Sequence, residues 1–285
     1  MILKHAGGGL SLDRCLVMGI VNRTPDSFFD GGRMGLEESV RHAERLVDEG
    51  ADILDLGAVK AGPGPPVTEG EEAERLLPLV EALAARVGVP ISIETARARI
   101  LARAIDAGAG LLNDVTGLAD EELVEVCAST GAGLVLMHHG GQIRGRPRHP
   151  RYEDVVQDVR AELEHLAGIA LAAGVEREAI VLDPGLDFGK TTFHSLELMR
   201  RLDELVAGGY PVLVAASRKD VVGETLGLPP DERLEGSLTL VMFSVAKGAS
   251  IVRVHDVAAS ARTIAMTEAV LGRRGPVDPV RGLWD

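Results

Sequence analysis

Eight short apolar runs, rich in β-branched residues, recur along the chain at 16–21, 52–56, 90–93, 110–112, 133–137, 179–182, 211–215 and 249–254. Between them the apolar positions switch to helical spacing, as at 37–49, 69–86, 96–107, 154–173, 195–206 and 236–246. Short apolar runs alternating with amphipathic stretches read as buried parallel strands with crossover helices. Four helix-to-strand junctions repeat the same pair, Gly50-Ala51, Gly108-Ala109, Gly131-Ala132 and Gly248-Ala249. Glycine there suits the left-handed residue that ends a helix. Eight such units predict an α/β fold, a (β/α)8 TIM barrel, as a single domain over 1–285. A doubly wound sheet is the alternative, weakened because no Gly-x-Gly-x-x-Gly opens a helix after a strand. Residues 1–14 alternate around a glycine turn and predict an N-terminal hairpin across the barrel floor. Residues 272–285, with Pro276 and Pro279, read as a C-terminal surface extension.

Composition narrows the class of protein without changing this picture. With 285 residues, 46% of them hydrophobic, the chain can bury a substantial core, and no tract reads as disordered. Aromatics are only 3%, so ring-stacking platforms for single-stranded nucleic acid are not expected. A formal net charge of −13 argues against nucleic-acid and anionic-membrane partners. Two cysteines, Cys15 and Cys127, are too few for a disulfide framework and read as reduced and structural. A cytoplasmic location is expected, with no targeting signal at the start and no apolar run long enough to span a bilayer.

In a barrel of this kind the chemistry sits at the C-terminal ends of the strands. The first run leads straight into Asn22-Arg23-Thr24-Pro25-Asp26-Ser27-Phe28-Phe29-Asp30-Gly31-Gly32, a cluster of polar groups turning on Pro and Gly. The other tips carry Asp55, Glu94, Asn113 and Asp114, His138 and His139, Asp183, Lys219, and Arg253 with His255. Polar groups at one end of every run argue for one shared pocket. For Asp55 and Asp114 a second reading stays open, as caps of the following helices. Lys219 and Arg253 do not fit that reading, because cations oppose the dipole at a helix N-terminus. Asn113 and Asp183 offer edges that can read a heterocycle, while Lys219, Arg253 and His255 suit an oxo group or a phosphate. Adjacent His138 and His139 point to opposite faces of a strand and do not make a zinc site. A Mg2+ shared with substrate phosphates, with Asn22 as an oxygen ligand, is the more natural metal.

The string 22–32, with Asn113-Asp114, Asp183-Pro184-Gly185, Phe188-Gly189-Lys190, Ser217-Arg218-Lys219 and Arg253-Val254-His255-Asp256, resembles the dihydropteroate synthase family along nearly the whole chain. The resemblance implies a folate-biosynthesis transferase, usually a homodimer. Such an enzyme joins 6-hydroxymethyl-7,8-dihydropterin pyrophosphate to the arylamine p-aminobenzoate and releases pyrophosphate. Carried over, it makes Asn113, Asp183, Phe188 and Lys219 pterin-binding groups and lays Arg253 against the pterin ring. Arg253 and His255 would hold the pyrophosphate, Asn22 its Mg2+, and Asp30 would stabilise the cationic methylene. The alternatives are a pterin-dependent methyltransferase and a divergent pterin-binding homologue with an altered acceptor or no synthase activity.

Four departures from the family pattern fall at functional positions. The second loop, usually Gly-Glu-Ser-Thr-Arg-Pro-Gly, is Ala58-Val59-Lys60-Ala61-Gly62-Pro63-Gly64, so a Thr and an Arg are missing. Each lost charge-assisted hydrogen bond is worth about 1.5–3 kcal/mol. Arg23 and Lys60 are cations where Val and Ser are usual; they either restore that charge or are solvated loop residues. The usual pterin-reading aspartate is Glu94, one methylene longer. The serine expected beside the aminobenzoate carboxylate is Asp220, which either opposes that carboxylate or points outward as a helix cap. Together these changes predict that pterin binding survives while p-aminobenzoate becomes a poor substrate. A basic loop over 142–151 either guides an anionic substrate or is simply solvated.

Overall fold

The computed structural model describes residues 1–22, 35–59, 67–141 and 150–281. Arg23, Asp30 and Lys60, the second-loop residues Ala61 and Gly62, and the basic stretch 142–149 lie outside the described residues.

Strands β1 (Ile2–His5) and β2 (Gly8–Ser11) pair antiparallel as the expected hairpin. Eight strands then run parallel: β3 (Leu16–Asn22), β4 (Ile53–Gly57), β5 (Ile91–Glu94), β6 (Leu111–Asp114), β7 (Gly133–Met137), β8 (Ile180–Asp183), β9 (Leu213–Val214) and β10 (Ile251–Val254). Their order is β8-β7-β6-β5-β4-β3-β10-β9. A parallel bridge between Leu182 and Val212, with Leu182 N–H donating to Pro211 O at 2.9 Å, brings β8 against the segment entering β9 and closes the ring. The seventh strand is two residues long, against an expected span of 211–215, because that closing edge is made by the bridge.

The helices are α1 (Leu36–Asp48), α2 (Glu69–Ala84), α3 (Ala98–Asp106), α4 (Glu122–Thr130), α5 (Val155–Ala172), α6 (Thr192–Arg200), α7 (Leu202–Val206), α8 (Asp220–Leu226), α9 (Leu234–Ala246) and α10 (Val257–Val270). None among the described residues is long and apolar enough to cross a membrane. The predicted Gly-Ala junctions hold: Gly50, Gly108, Gly131 and Gly248 have φ of 102°, 111°, 70° and 94°, a region only glycine enters without strain. The helix expected over 195–206 is two. It breaks at Arg201, whose guanidinium is drawn to Asp154, the residue capping α5, at 3.0 Å, and to Glu204 at 2.6 Å.

Side chains alternate between the two faces of each strand. The inner face fills the barrel with Leu16, Met18, Ile53, Leu111, Val135, Val181, Leu213 and Ile251, closed from below by Leu3 of the hairpin. The outer face packs on the helices in two further clusters. Both cysteines are free and buried, as expected. Residues 272–281 are exposed and form no helix or strand.

Candidate functional site

The inner-face period continues upward from the packed interior to the polar tips. Two residues beyond Ile53 stands Asp55, beyond Leu111 stands Asn113, beyond Val181 stands Asp183, and beyond Ile251 stands Arg253. Glu94 stands two beyond Ser92, which is buried in the same wall. Every one of these side chains is therefore aimed into the mouth by strand geometry alone.

They meet there. Arg253 donates from Nε to Asp55 Oδ2 at 2.6 Å and from Nη2 to Glu94 Oε2 at 2.8 Å. Asn113 Nδ2 donates to the same Asp55 Oδ2 at 3.0 Å. Asp55 Oδ1 and Asn113 Oδ1 are buried with no partner. Two buried acceptors without partners in one hydrogen-bonded cluster are the requirement of a ligand that brings N–H donors. Asp183 accepts Gly185 N–H at 2.7 Å. Lys219 donates to Leu186 O at 2.9 Å and lies 4.9 Å over the Phe188 ring.

Burial sets the charge balance of the cluster. It pushes Glu94 and Asp183 upward, against the pull of Arg253 on the first and Lys219 on the second. The same burial pushes Lys219 down, against Asp183. For Arg253 burial works against the charge, but Asp55 and Glu94 outweigh it and raise the guanidinium further. His255 is exposed at the rim; desolvation by its neighbours, then Arg253 and Arg218, push it down to about 4. Its Nδ1 lies 3.1 Å from Ser217 Oγ. Arg218, held at φ 59°, makes a two-pronged pair with Asp256 at 3.0 and 2.6 Å. The result is an acceptor-rich floor beneath a cationic rim, suited to a flat polar heterocycle with an anionic tail.

Not every predicted tip belongs to this cluster. Asp114, the outward neighbour of Asn113, accepts from Thr116 N–H and Oγ1 at 2.9 and 2.5 Å and from Leu118 N–H at 2.6 Å. It ties a turn, whereas Asp55 faces the mouth. Asn22 ends β3 exposed, and its amide oxygen leans over Gly57, where a Cβ would stand only 3.0 Å from it. His138 and His139 diverge as expected, the first to Lys190 Nζ at 2.7 Å and the second over Gly117. Asp220 is the first residue of α8 and accepts from Arg233 Nη1 at 3.3 Å, while Asp187 Oδ2 accepts Val221 N–H at 3.1 Å.

Lys190, cited in the sequence only as part of the motif 188–190, has a role that sequence reasoning did not give it. Its buried ammonium donates to His138 O, Gly185 O and Phe188 O at 3.1, 3.0 and 2.8 Å, tying the loop after β7 to the loop that carries Phe188. Gly185 is required there: at φ 63° a Cβ would lie 2.0 Å from His138 O. The signal was present as a lysine following Gly-x-x-Phe-Gly, a cation placed inside a tight apolar turn.

A family model described as "Pterin binding enzyme" matches residues 18–255. The chain is 47% identical over 284 residues to "Inactive dihydropteroate synthase 2" of Mycobacterium leprae (strain TN), covering 97% of this chain and 98% of that protein. It is 41% identical over 266 residues to the dihydropteroate synthase of Bacillus subtilis (strain 168), covering 92% and 91%. Among solved structures, the dihydropteroate synthase of Yersinia pestis in a sulfonamide drug complex matches with a TM-score of 0.91 at 38% identity, over 95% of this chain and 100% of that one.

Proposed function

The chain belongs to the dihydropteroate synthase family of pterin-binding enzymes, and we propose that it binds 6-hydroxymethyl-7,8-dihydropterin pyrophosphate while using p-aminobenzoate poorly. The observation that carries the first half is the pair of buried, unpartnered oxygens, Asp55 Oδ1 and Asn113 Oδ1, inside a ring with Asp183 and Lys219. They match the N–H donors along a pterin edge. Arg253 beside them and Arg218 at the rim supply cations for the pyrophosphate, and His255, its pKa pushed down to about 4, offers a ring N–H rather than a charge.

The reaction of the family breaks the C–O bond to pyrophosphate and forms a C–N bond to the arylamine, which then loses a proton. No protein nucleophile is required. The rim cations stabilise the leaving diphosphate as its charge develops. In this reading Asp30 keeps its role at the cationic methylene, and Arg23 and Lys60 are the cations that would restore the charge of the missing second-loop arginine. Mg2+ would arrive with the substrate phosphates: Asn22 offers one exposed amide oxygen, and among the described residues no group of three His, Cys, Asp or Glu gathers to hold an ion alone.

The second half rests on the α8 terminus. Asp220 follows Lys219 directly and keeps a carboxylate where the acceptor's carboxylate would approach, with Arg233 offsetting part of its charge. Loss of the second-loop Thr and Arg acts in the same direction, and so does the likeness to a relative named inactive. A homodimer belongs to this reading, and exposed Met242, Met266, Val270 and Leu271 on α9 and α10 are the face it would bury.

Calorimetry with the pterin pyrophosphate, alongside pyrophosphate release in the presence of p-aminobenzoate, tests both halves. Binding with slow release is expected, and Asp220→Ser combined with Ala61→Thr and Gly62→Arg should raise the rate at least tenfold. Wild-type turnover as fast as that of the triple variant would refute the acceptor assignment.

A further inference from the structure

Arg253 binds the far wall of the barrel. It stands on β10, between β3 and β9, yet its guanidinium is held by Asp55 on β4 and Glu94 on β5. Neighbouring strands stand about 4.8 Å apart, so a side chain that starts on β10 and ends against β5 crosses three such steps. It lies as a chord across the opening. An eight-stranded barrel leaves room in its mouth only for side chains or one small ligand, so a guanidinium on that chord competes with whatever the floor is built to hold. The unpartnered oxygens of Asp55 and Asn113 belong to this same hydrogen-bonded cluster.

The two carboxylates hold the arm differently. Asp55 grips Nε, next to the stem, from a fully buried position. Glu94 grips Nη2, at the tip. Release of the tip alone lets the guanidinium pivot about the Asp55 bond towards the rim and His255. We infer that Glu94 determines the affinity of this site by tethering Arg253 across the mouth, withholding the cation from the anionic tail and the space from the ring. The inference rests on the pterin-binding reading above and names a role for Glu94 other than touching the pterin itself.

Two substitutions separate reach from charge. Glu94→Asp keeps the charge but is one methylene too short for Nη2; Glu94→Gln keeps the length and removes the charge. Each variant and the wild type are titrated by calorimetry with Mg2+ and inorganic pyrophosphate, and then with the pterin pyrophosphate. Tethering predicts that both variants bind inorganic pyrophosphate about five- to tenfold more tightly than wild type, and that Glu94→Asp binds the pterin pyrophosphate more tightly too. Tightening by Glu94→Gln alone would make this a simple charge effect and overturn the inference. So would unchanged pyrophosphate binding with weaker pterin binding in Glu94→Gln, which would make Glu94 a direct contact. Failure of all three proteins to bind the pterin would overturn the pterin reading, while the pyrophosphate series would still decide the tether.

Discussion

Replacing Asp114 by asparagine separates a turn residue from its catalytic-looking neighbour. The carboxylate is fully buried and accepts three hydrogen bonds, two on Oδ1 from Thr116 and one on Oδ2 from Leu118 N–H. Asparagine keeps one oxygen and presents an NH2 where the other accepted, so at least one donor faces a donor. Bonds to a charged acceptor contribute about 1.5–3 kcal/mol, and a buried donor left unpaired costs a similar amount. Leu118, held at φ 60° by this turn, loses its restraint as well. A loss near 3 kcal/mol follows, or about 9 °C in Tm at roughly 3 °C per kcal/mol for a chain of this size. Urea and thermal unfolding measure it, and calorimetry with the pterin pyrophosphate, well below the transition, should show Kd changed less than threefold. Intact stability with a tenfold loss of affinity would refute the reasoning and return Asp114 to the site.

Two more changes probe the supports behind the mouth. Burial pushes Lys190 down to about 7 from the ordinary 10.5, so the native state sheds this proton before the unfolded chain does. Stability is then lowest below about pH 7 and rises as pH climbs toward 10.5; urea midpoints should follow that slope in the wild type and flatten in Lys190→Met, and an equal slope in both would contradict the account. Glu72 is 1% exposed, accepts Thr95 Oγ1 at 2.5 Å and pairs with Arg97, which also donates to Val67 O at 2.7 Å. Glu72→Gln should lower stability by about 2 kcal/mol, less than a fully buried pair would because Arg97 is partly solvated; a loss under half a kcal/mol by denaturant titration would contradict it.

The barrel was readable because its period changes are local. Eight apolar runs marked eight strands within about two residues, and glycines at 50, 108, 131 and 248 marked helix ends by a conformation that other residues avoid. What escaped was decided by contacts distant in sequence. Arg201, where one helix gives way to the next, pairs with Asp154, forty-seven residues earlier, and Val212 closes the ring against Leu182 rather than by extending a strand. Periodicity along one segment carries no record of either partner.

The site was legible as a set of tips but not as a set of directions. Asn113 and Asp114 have equal claims as tip residues, and only the face assignment separates them, because adjacent residues on a strand point to opposite sides. The face was recoverable: counting up in twos from the aliphatic residues that fill the barrel reaches Asp55, Asn113, Asp183 and Arg253 and passes over Asp114. That count needs to know which aliphatic positions face inward, and in parallel strands buried on both faces the apolar run is continuous and hides the parity. Polar residues break the degeneracy. Buried Ser92 in β5 and the carboxylate of Asp55 in β4 lie on the inner face, whereas the mid-strand positions of the outer face meet helices and are aliphatic. A polar residue in the middle of an apolar parallel strand, as Asp55 and Ser92 are, therefore marks the inward parity, whereas a polar pair at the last two positions, as Asn113 and Asp114 are, does not by itself say which one reaches the mouth.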